Sequence, residues 1–254
     1  MITIGEIDLI PGMPAVIHRA SNVAIIADLH LGFEEEMAKA GIYLPRLQLS
    51  RALSLIEYLK SIGVKKLIID GDIKNSFNKL TVQEREEIIK FLGKAKDLFD
   101  EVVLVRGNHD NYVSIITDKM DVKLVPNLRL SEKVFVLHGH RESSEALKHE
   151  LIIIGHEHPS LSIRDEIGSI FKLPCFLRVP LKGSRKREIL VLPAAGYYQS
   201  GNSISLDPTN YLSPLIKNHG NIMRAVPIVI DVEGKDLLEF PPLGAMEELV
   251  REKI

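Results

Sequence analysis

An α/β fold is what the sequence predicts, and two observations predict it. Short, continuous apolar runs alternate with longer stretches whose apolar residues recur at helical spacing, the order expected of parallel strands joined by crossover helices. Several of those runs stop abruptly at Asp, Asn or His. That is where α/β sheets gather ligands, beyond the carboxyl ends of their strands. With 254 residues, 45% of them apolar, the chain can bury one large core, and no repeat or linker divides it, so residues 1–254 are expected to form one domain.

Taken in order, residues 2–10, 15–18 and 23–27 read as strands, with Pro11-Gly12 and Ser21-Asn22 as turns. The third is apolar throughout, as a strand covered on both faces should be, and it delivers Asp28 and His30. Residues two apart in extended chain point the same way, so this pair is expected to grip one ion. Residues 34–40 predict a short helix ended by Gly41. Leu47, Leu49, Ala52, Leu55, Ile56 and Leu59 then keep helical spacing up to Gly63, a C-terminal cap. A buried strand over 66–69 ends in Asp70-Gly71-Asp72, where glycine permits a sharp turn and Asp72 is better placed than Asp70 to bridge two cations. Thr81-Val82-Gln83-Glu84 is a capping-box pattern that opens a helix to Leu98, with Ile88, Ile89, Phe91, Leu92 and Ala95 on one face. The strand over 101–105 leads into Arg106-Gly107-Asn108-His109-Asp110.

The second half is richer in strands, expected at 122–125, 128–130, 134–137, 151–154, 161–164, 171–177, 188–192 and 226–231, with short helices around 144–149 and 245–252. The run over 134–137 delivers His138, with His140 beyond it. Residues 151–154 deliver Gly155-His156-Glu157-His158, in which alternation lets the two histidines converge while Glu157 faces away.

A formal net charge of -2 argues against electrostatic coating of nucleic acid, although a local basic patch can still hold a phosphate backbone. The single cysteine, Cys175, excludes an internal disulfide and a zinc-thiolate site, and reads as a small buried hydrophobe in a reducing compartment. No basic stretch followed by an apolar one opens the chain, and no apolar run reaches the roughly 18 residues a bilayer requires. A soluble, cytoplasmic protein without membrane contact is expected.

Asp28, His30, Asp72, Asn108, His138, His156 and His158 together suffice for two metal ions sharing one carboxylate. Two divalent cations against two carboxylates leave positive charge, which suits a phosphate ester and its more negative transition state. Imidazole-rich, thiol-free ligation favours Mn, Fe, Co, Ni or Zn over Mg, with Mn the preferred expectation. Two such ions ~3.5 to 4 Å apart lower the pKa of a bridging water and stabilise the attacking and leaving oxygens.

The order D-x-H, G-D, G-N-H-D, H, G-H-x-H, running from Asp28 to His158, resembles the calcineurin-like metallophosphoesterases. Asp28-Leu29-His30-Leu31-Gly32, Gly71-Asp72-Ile73-Lys74 and the late Leu192-Pro193-Ala194 are similar to the small SbcD-related phosphoesterases, some encoded beside DNA ligase or Lhr-type helicases. The resemblance implies a four-layer αββα sandwich of two mixed sheets flanked by helices. It assigns Asp28, His30 and His158 to the first metal, Asp72 to the bridge, and Asn108, His138 and His156 to the second. It gives His109 the protonation of the leaving oxygen, with Asp110 orienting the ring through that chemistry's usual support. The function implied is a phosphodiesterase, read as a nuclease on single-stranded or flap nucleic acid in DNA repair, with a metal-bridging hydroxide as nucleophile. A helicase or ligase partner and a homodimer are compatible with it. Hydrolysis of small phosphodiesters such as cyclic nucleotides, or a non-catalytic scaffold on the same fold, are the other readings. Two departures limit the likeness: the chain lacks the length for the DNA-binding and capping segments of full-length SbcD, and it departs from the G-D-x-x-D-R-G and R-G-N-H-E patterns of protein serine/threonine phosphatases.

Other residues are open. Lys74 can reach a phosphate or be solvated, Arg106 can contact substrate or sit in a salt bridge, and His140 can line the site or pack beside it. Lys182, Arg185, Lys186 and Arg187 form a basic turn, and Tyr197 and Tyr198 can stack on a base or pack a sheet edge. His18, His149 and His219 lack ligand spacing and are expected at the surface.

Overall fold

Side chains on successive strand residues point to opposite faces, and this chain uses both faces of its central strands. The computed structural model describes residues 2–164 and 170–251. Four strands open the chain: β1 (Ile2–Ile4), β2 (Ile7–Leu9), β3 (Val16–His18) and β4 (Val23–Ala27). The run over 2–10 is therefore two strands, because Gly5 turns the backbone at φ 56°. Then come α1 (Phe33–Lys39), α2 (Gln48–Ser61), β5 (Lys66–Asp70), α3 (Val82–Leu98), β6 (Glu101–Val105), α4 (Ser114–Met120) and β7 (Lys123–Val125). These seven strands form one sheet in sequence order, antiparallel from β1 to β4 and parallel from β4 to β7. The capping box opens α3, with Thr81 accepting from the Glu84 backbone and Glu84 accepting from that of Thr81.

The remaining elements are β8 (Leu128–Arg129), β9 (Val134–Val136), β10 (Leu151–Ile154), β11 (Pro159–Arg164), β12 (Ile170–Pro180), β13 (Glu188–Val191), β14 (Asn202–Ser203), α5 (Pro214–His219), β15 (Val226–Asp231), β16 (Asp236–Glu239) and α6 (Leu243–Arg251). Their strands build a second sheet in the order β14-β11-β12-β13-β10-β9-β8, with β15 and β16 joined through β12. Within it β9, β10 and β13 run parallel. Both sheets are thus mixed.

Three cores separate four layers. Ala24, Ile26, Leu67, Ile69 and Leu104 face Ala52, Ile56, Ile88 and Phe91 of the helices. The intervening residues, Ile25, Ile68 and Val103, face Val136, Ile153 and Leu190 of the second sheet. On its far side Ile152, Ile154 and Val191 meet Leu215, Ile216 and Leu243. Each Val, Leu, Ile or Phe side chain so buried contributes about 1.5–3 kcal/mol. The αββα sandwich follows from two sheets that are apolar on both faces.

Four short elements escape a reading of periodicity. Helices α4 and α5 span seven and six residues, too short for a 3.6-residue period to register. Strands β14 and β16 are largely exposed edge pieces without an apolar run. Conversely, the helix expected over 144–149 is one 3-10 turn at Ala146–Lys148, and the strand expected over 171–177 extends to eleven residues. The expected end of the last helix at Glu252 lies outside the described residues.

Candidate metal centre

The carboxyl ends of β4, β5, β6, β9, β10 and β13 meet at one edge of the sandwich. There the chain does something extended strands do not: Asp28, His30, Asp72, His156 and His158 all adopt positive φ, at 57°, 47°, 46°, 68° and 45°. Asp28 meets His30 through left-handed turns and not through strand alternation, and His156 and His158, expected to converge, are turned instead to different donor sets. Such conformations cost on the order of 1 kcal/mol or more each and persist only where the surroundings impose them.

Those surroundings are specific. Asp28, His30 and Leu31 donate their backbone N–H groups to the carbonyls of Gly71, Asp72 and Ile73 at 3.2, 2.9 and 2.9 Å, so the two loops run side by side. Gln48 Nε2 donates to Leu29 O at 2.5 Å. The His156 N–H donates to Asp28 Oδ2 at 2.9 Å, and the Gly196 N–H to Asp28 O at 3.0 Å. Glu157 does face away: it is buried and accepts from the backbone of Leu212 and Ser213, anchoring the far wall. A Cβ at Gly71 would collide with the His138 ring, and one at Gly107 with the Asp72 carboxylate. These glycines let the loops close on the donors.

Two sets of donors result. Ligand atoms of Asp28, His30 and His158 lie within 4.8 Å of one another, as do those of Asp72, His138 and His156. In the first, His30 Nε2 stands 3.2 Å from His158 Nε2, and Asp28 Oδ1 is 3.4 Å from His158 Nε2 with no hydrogen bond of its own although buried. Ligands bound ~2.1 Å from one ion sit about 3 Å apart, so facing nitrogens at this spacing fit a shared cation. In the second, His138 Nε2 lies 3.2 Å from Asp72 Oδ2 and 3.1 Å from Asn108 Oδ1. The other nitrogen, His138 Nδ1, donates to Asp70 O at 3.0 Å, which fixes the ring with Nε2 toward the donors.

Electrostatics separates the rings. Burial opposes a charge on His138, but Asp72, Asp28 and Asp70 outweigh it and raise the imidazole to about 10. Burial, then His158, pushes His30 down to about 4, and burial, then His138, does the same to His156. Burial alone would raise Asp72, yet His138, His30 and His109 hold it well below the carboxylate range. Protons on imidazole thus balance buried carboxylates, and a divalent cation fits that place chemically. Asp70 belongs to neither set: both its oxygens are buried without hydrogen bonds, and burial pushes its carboxyl up to about 8.

His109 sits over the second set, its Nε2 3.9 Å from Asp72 Oδ2. Its Nδ1 donates to Asn75 O at 2.5 Å. Here the expectation for Asp110 is corrected. Asp110 does not touch the ring; it accepts from the backbone N–H groups of Gly107, Asp72 and Ile73 at 2.7, 3.0 and 3.0 Å and clamps two loops together. Sequence reasoning missed Asn75 because a backbone carbonyl leaves no trace in residue identity.

The remaining candidates divide. Lys74 is fully buried and donates to Ser76 O and Lys79 O, so it is neither solvated nor free for a phosphate. Arg106 is exposed and makes no salt bridge among the described residues. His140 lies beside the set, its ring 5.4 Å from His138 and 6.1 Å from His156. The basic turn sits at the amino end of β13, opposite the site, with Lys182 and Arg187 already bonded to Asn218 O and Leu147 O. Tyr198 stacks on Phe33 at 5.7 Å and bonds Pro45 O, and Tyr197 lies under Arg51 at 5.1 Å. His18 and His149 are buried, contrary to expectation: His18 bridges Ser21 and Glu6, and His149 packs on Phe135. His219 is partly exposed and pairs with Glu142. Cys175 is buried, its thiol pushed up to about 12 by burial.

The profile of the calcineurin-like phosphoesterases matches residues 21–184, most of the chain and every donor above, and the chain belongs to that family of metal-dependent phosphoesterases. No curated protein sequence matches it. Among solved structures, the fold is similar to that of the Pseudomonas putida nuclease MPE, with TM-score 0.59 and 20% identity over 86% of this chain and 90% of that one. Yfce, a phosphoesterase from E. coli, aligns with TM-score 0.45 and 16% identity over 87% and 98% of the two chains. Vps29 from Entamoeba histolytica, complexed with Zn, aligns with TM-score 0.34 and 13% identity over 86% and 98%. Among the described residues no helix is long and apolar enough to cross a membrane.

Proposed function

We propose that this member of the calcineurin-like phosphoesterase family is a two-metal phosphodiesterase, a nuclease that cuts single-stranded or flap nucleic acid in DNA repair. The observation that carries the reading is the pair of adjoining donor sets with the His109 ring fixed above them. Asp28, His30 and His158 would hold one ion, Asn108, His138 and His156 the other, and Asp72 would be shared. The bound ions, with Mn the first choice for this thiol-free set, supply charge stabilisation of the phosphoryl transition state and an acidified water.

The protein's own groups do the rest. Asn75 O can only accept, so His109 Nδ1 carries a proton. Nε2 is then a donor only in the doubly protonated ring, and in that form it delivers its proton to the oxygen that leaves. Asp72, whose Oδ1 accepts from the His109 backbone N–H at 2.8 Å, keeps that ring in register with the phosphate it serves. The nuclease reading is supported by the shared fold with the Pseudomonas putida enzyme. A helicase partner would supply the opened strand, and a ligase partner would seal the strand after the cut.

The test is a substrate panel under Mn: labelled single-stranded, flap and duplex DNA, the matching RNA, cyclic dinucleotides and bis(p-nitrophenyl) phosphate. Metal-dependent cleavage of flap or single-stranded nucleic acid is expected. Turnover of cyclic dinucleotides alone would transfer the function to small phosphodiesters, and no turnover of any member would leave a scaffold.

A further inference from the structure

Beside the second donor set the surface opens into a cavity of about 510 Å³, whose walls include Asn108 and His138. Among the other groups around it stand Phe77, Arg106 and Arg141, which no metal takes as ligands. Phe77 stands at its rim, half-exposed, its ring edge-on to His109 with centroids 5.5 Å apart. An exposed phenylalanine is ordinary on a protein surface; the placement of this one is not left to chance. Its loop is fastened twice to the strand end that carries His109, by Asn75 O accepting from His109 Nδ1 and by Phe77 O accepting from Asn111 Nδ2 at 3.0 Å.

Charge adds a second, independent observation. Arg106 and Arg141 line the same cavity, both exposed, and no acid engages either among the described residues. The carboxylate of Glu142, on the same wall, is turned to His219 and to Asn218 Nδ2. An aromatic ring and two unpaired guanidinium groups lining one cavity are what a nucleotide binds: the base stacks and the phosphate takes bidentate hydrogen bonds.

We infer that this cavity receives the leaving side of a nucleic-acid strand, with the base of the leaving nucleotide stacked on Phe77 and the next phosphate along the strand held by Arg106 and Arg141. The inference rests on the phosphodiesterase reading, because His109, as proton donor to the leaving oxygen, is what marks this side as the one that departs. It makes the cavity the determinant that separates polynucleotides from phosphodiesters without a second phosphate.

The experiment compares oligothymidylate with bis(p-nitrophenyl) phosphate as substrates of the Mn-loaded full chain, for the wild type, Phe77→Ala and Arg141→Gln. The expected result is a fall of about tenfold in the ratio of kcat/KM for the oligonucleotide to that for the aryl diester in each variant, carried by KM. Arg141→Gln should also flatten the dependence of KM on salt by the share of one phosphate contact. Ratios and salt slopes equal to those of the wild type would overturn the inference while leaving the phosphodiesterase reading intact. If the wild type cleaves neither substrate, that reading falls. The assignment to the leaving side falls with it, and the cavity's role as a strand-binding site is decided by fluorescence anisotropy of labelled oligothymidylate: binding weakened by Phe77→Ala supports it, and binding that is absent or unaltered ends it.

Discussion

Asp28, His30 and His158 come from two strand ends, those of β4 and β10, whereas Asp72, Asn108, His138 and His156 come from four, those of β5, β6, β9 and β10. Every member of the first set is held in left-handed backbone, while Asn108 and His138 in the second are not. Asp72 and His156 share that backbone, but the second set draws in addition on more distant segments: His138 Nδ1 donates to Asp70 O, the His109 N–H to Asp72, and Asp110 accepts across two loops. One set is shaped wholly by backbone that neighbouring loops force to turn; the other combines such turns with side-chain and carbonyl contacts gathered from distant segments. The cavity opens beside the second, so the half gathered from four strand ends is also the one that borders open space.

Replacement of Asp72, the residue we propose is shared by both, should have the largest effect. Asp72→Asn is expected to cost several kcal/mol of transition-state stabilisation, roughly 10³-fold in kcat, and to lower bound metal from two ions per chain. Turnover within a few fold of the wild type would remove the shared member and with it the division into two sets. His109 lies outside both, so His109→Ala should lose roughly 10²-fold in kcat while metal content, measured by atomic emission, stays at the wild-type level. A variant that also sheds metal would make His109 part of the second set.

Asp110 sharpens the contrast through stability. Removing its carboxylate leaves three buried N–H groups without an acceptor, and Asp110→Ala should lower the urea unfolding free energy by about 3 kcal/mol. A loss of activity with unchanged stability would return Asp110 to a direct role at the His109 ring. The smallest effect belongs to Gln48, which supports the first set alone through Leu29 O. Gln48→Ala should weaken one metal-binding step about tenfold in a calorimetric titration and leave the other in place. Equal weakening of both steps would mean that the sets do not load separately.

Much of this was legible in the residues themselves. Continuous apolar runs ending in Asp, Asn or His located β4, β5, β6, β9 and β10 and the donors beyond them, because a strand buried on both faces has no room for polar residues until it stops. The capping box placed α3 to within a residue. Reasons fared less well than places. Strand alternation was the wrong account of how Asp28 meets His30, since left-handed φ is imposed by the folded loops, and the enrichment of Asp and His in that region is too weak to mark a given residue. Lys74 read as a loop lysine because its neighbours in sequence are polar, while the carbonyls of Ser76 and Lys79 that take its charge lie in a turn no local pattern announces. His18 and His149 lacked ligand spacing, and spacing says nothing of burial.

By itself the sequence determined the α/β class, the two-sided strands and which side chains can bind a cation, because hydrophobic periodicity and donor chemistry are written in residue types. Only the tertiary structure decided that Asn75 and not Asp110 orients His109, that burial pushes the Asp70 carboxyl up beside the donors, and that Phe77 and Arg141 share a cavity with them. Those outcomes depend on backbone carbonyls, burial and approach between segments tens of residues apart. Such quantities come into being only when the chain closes on itself.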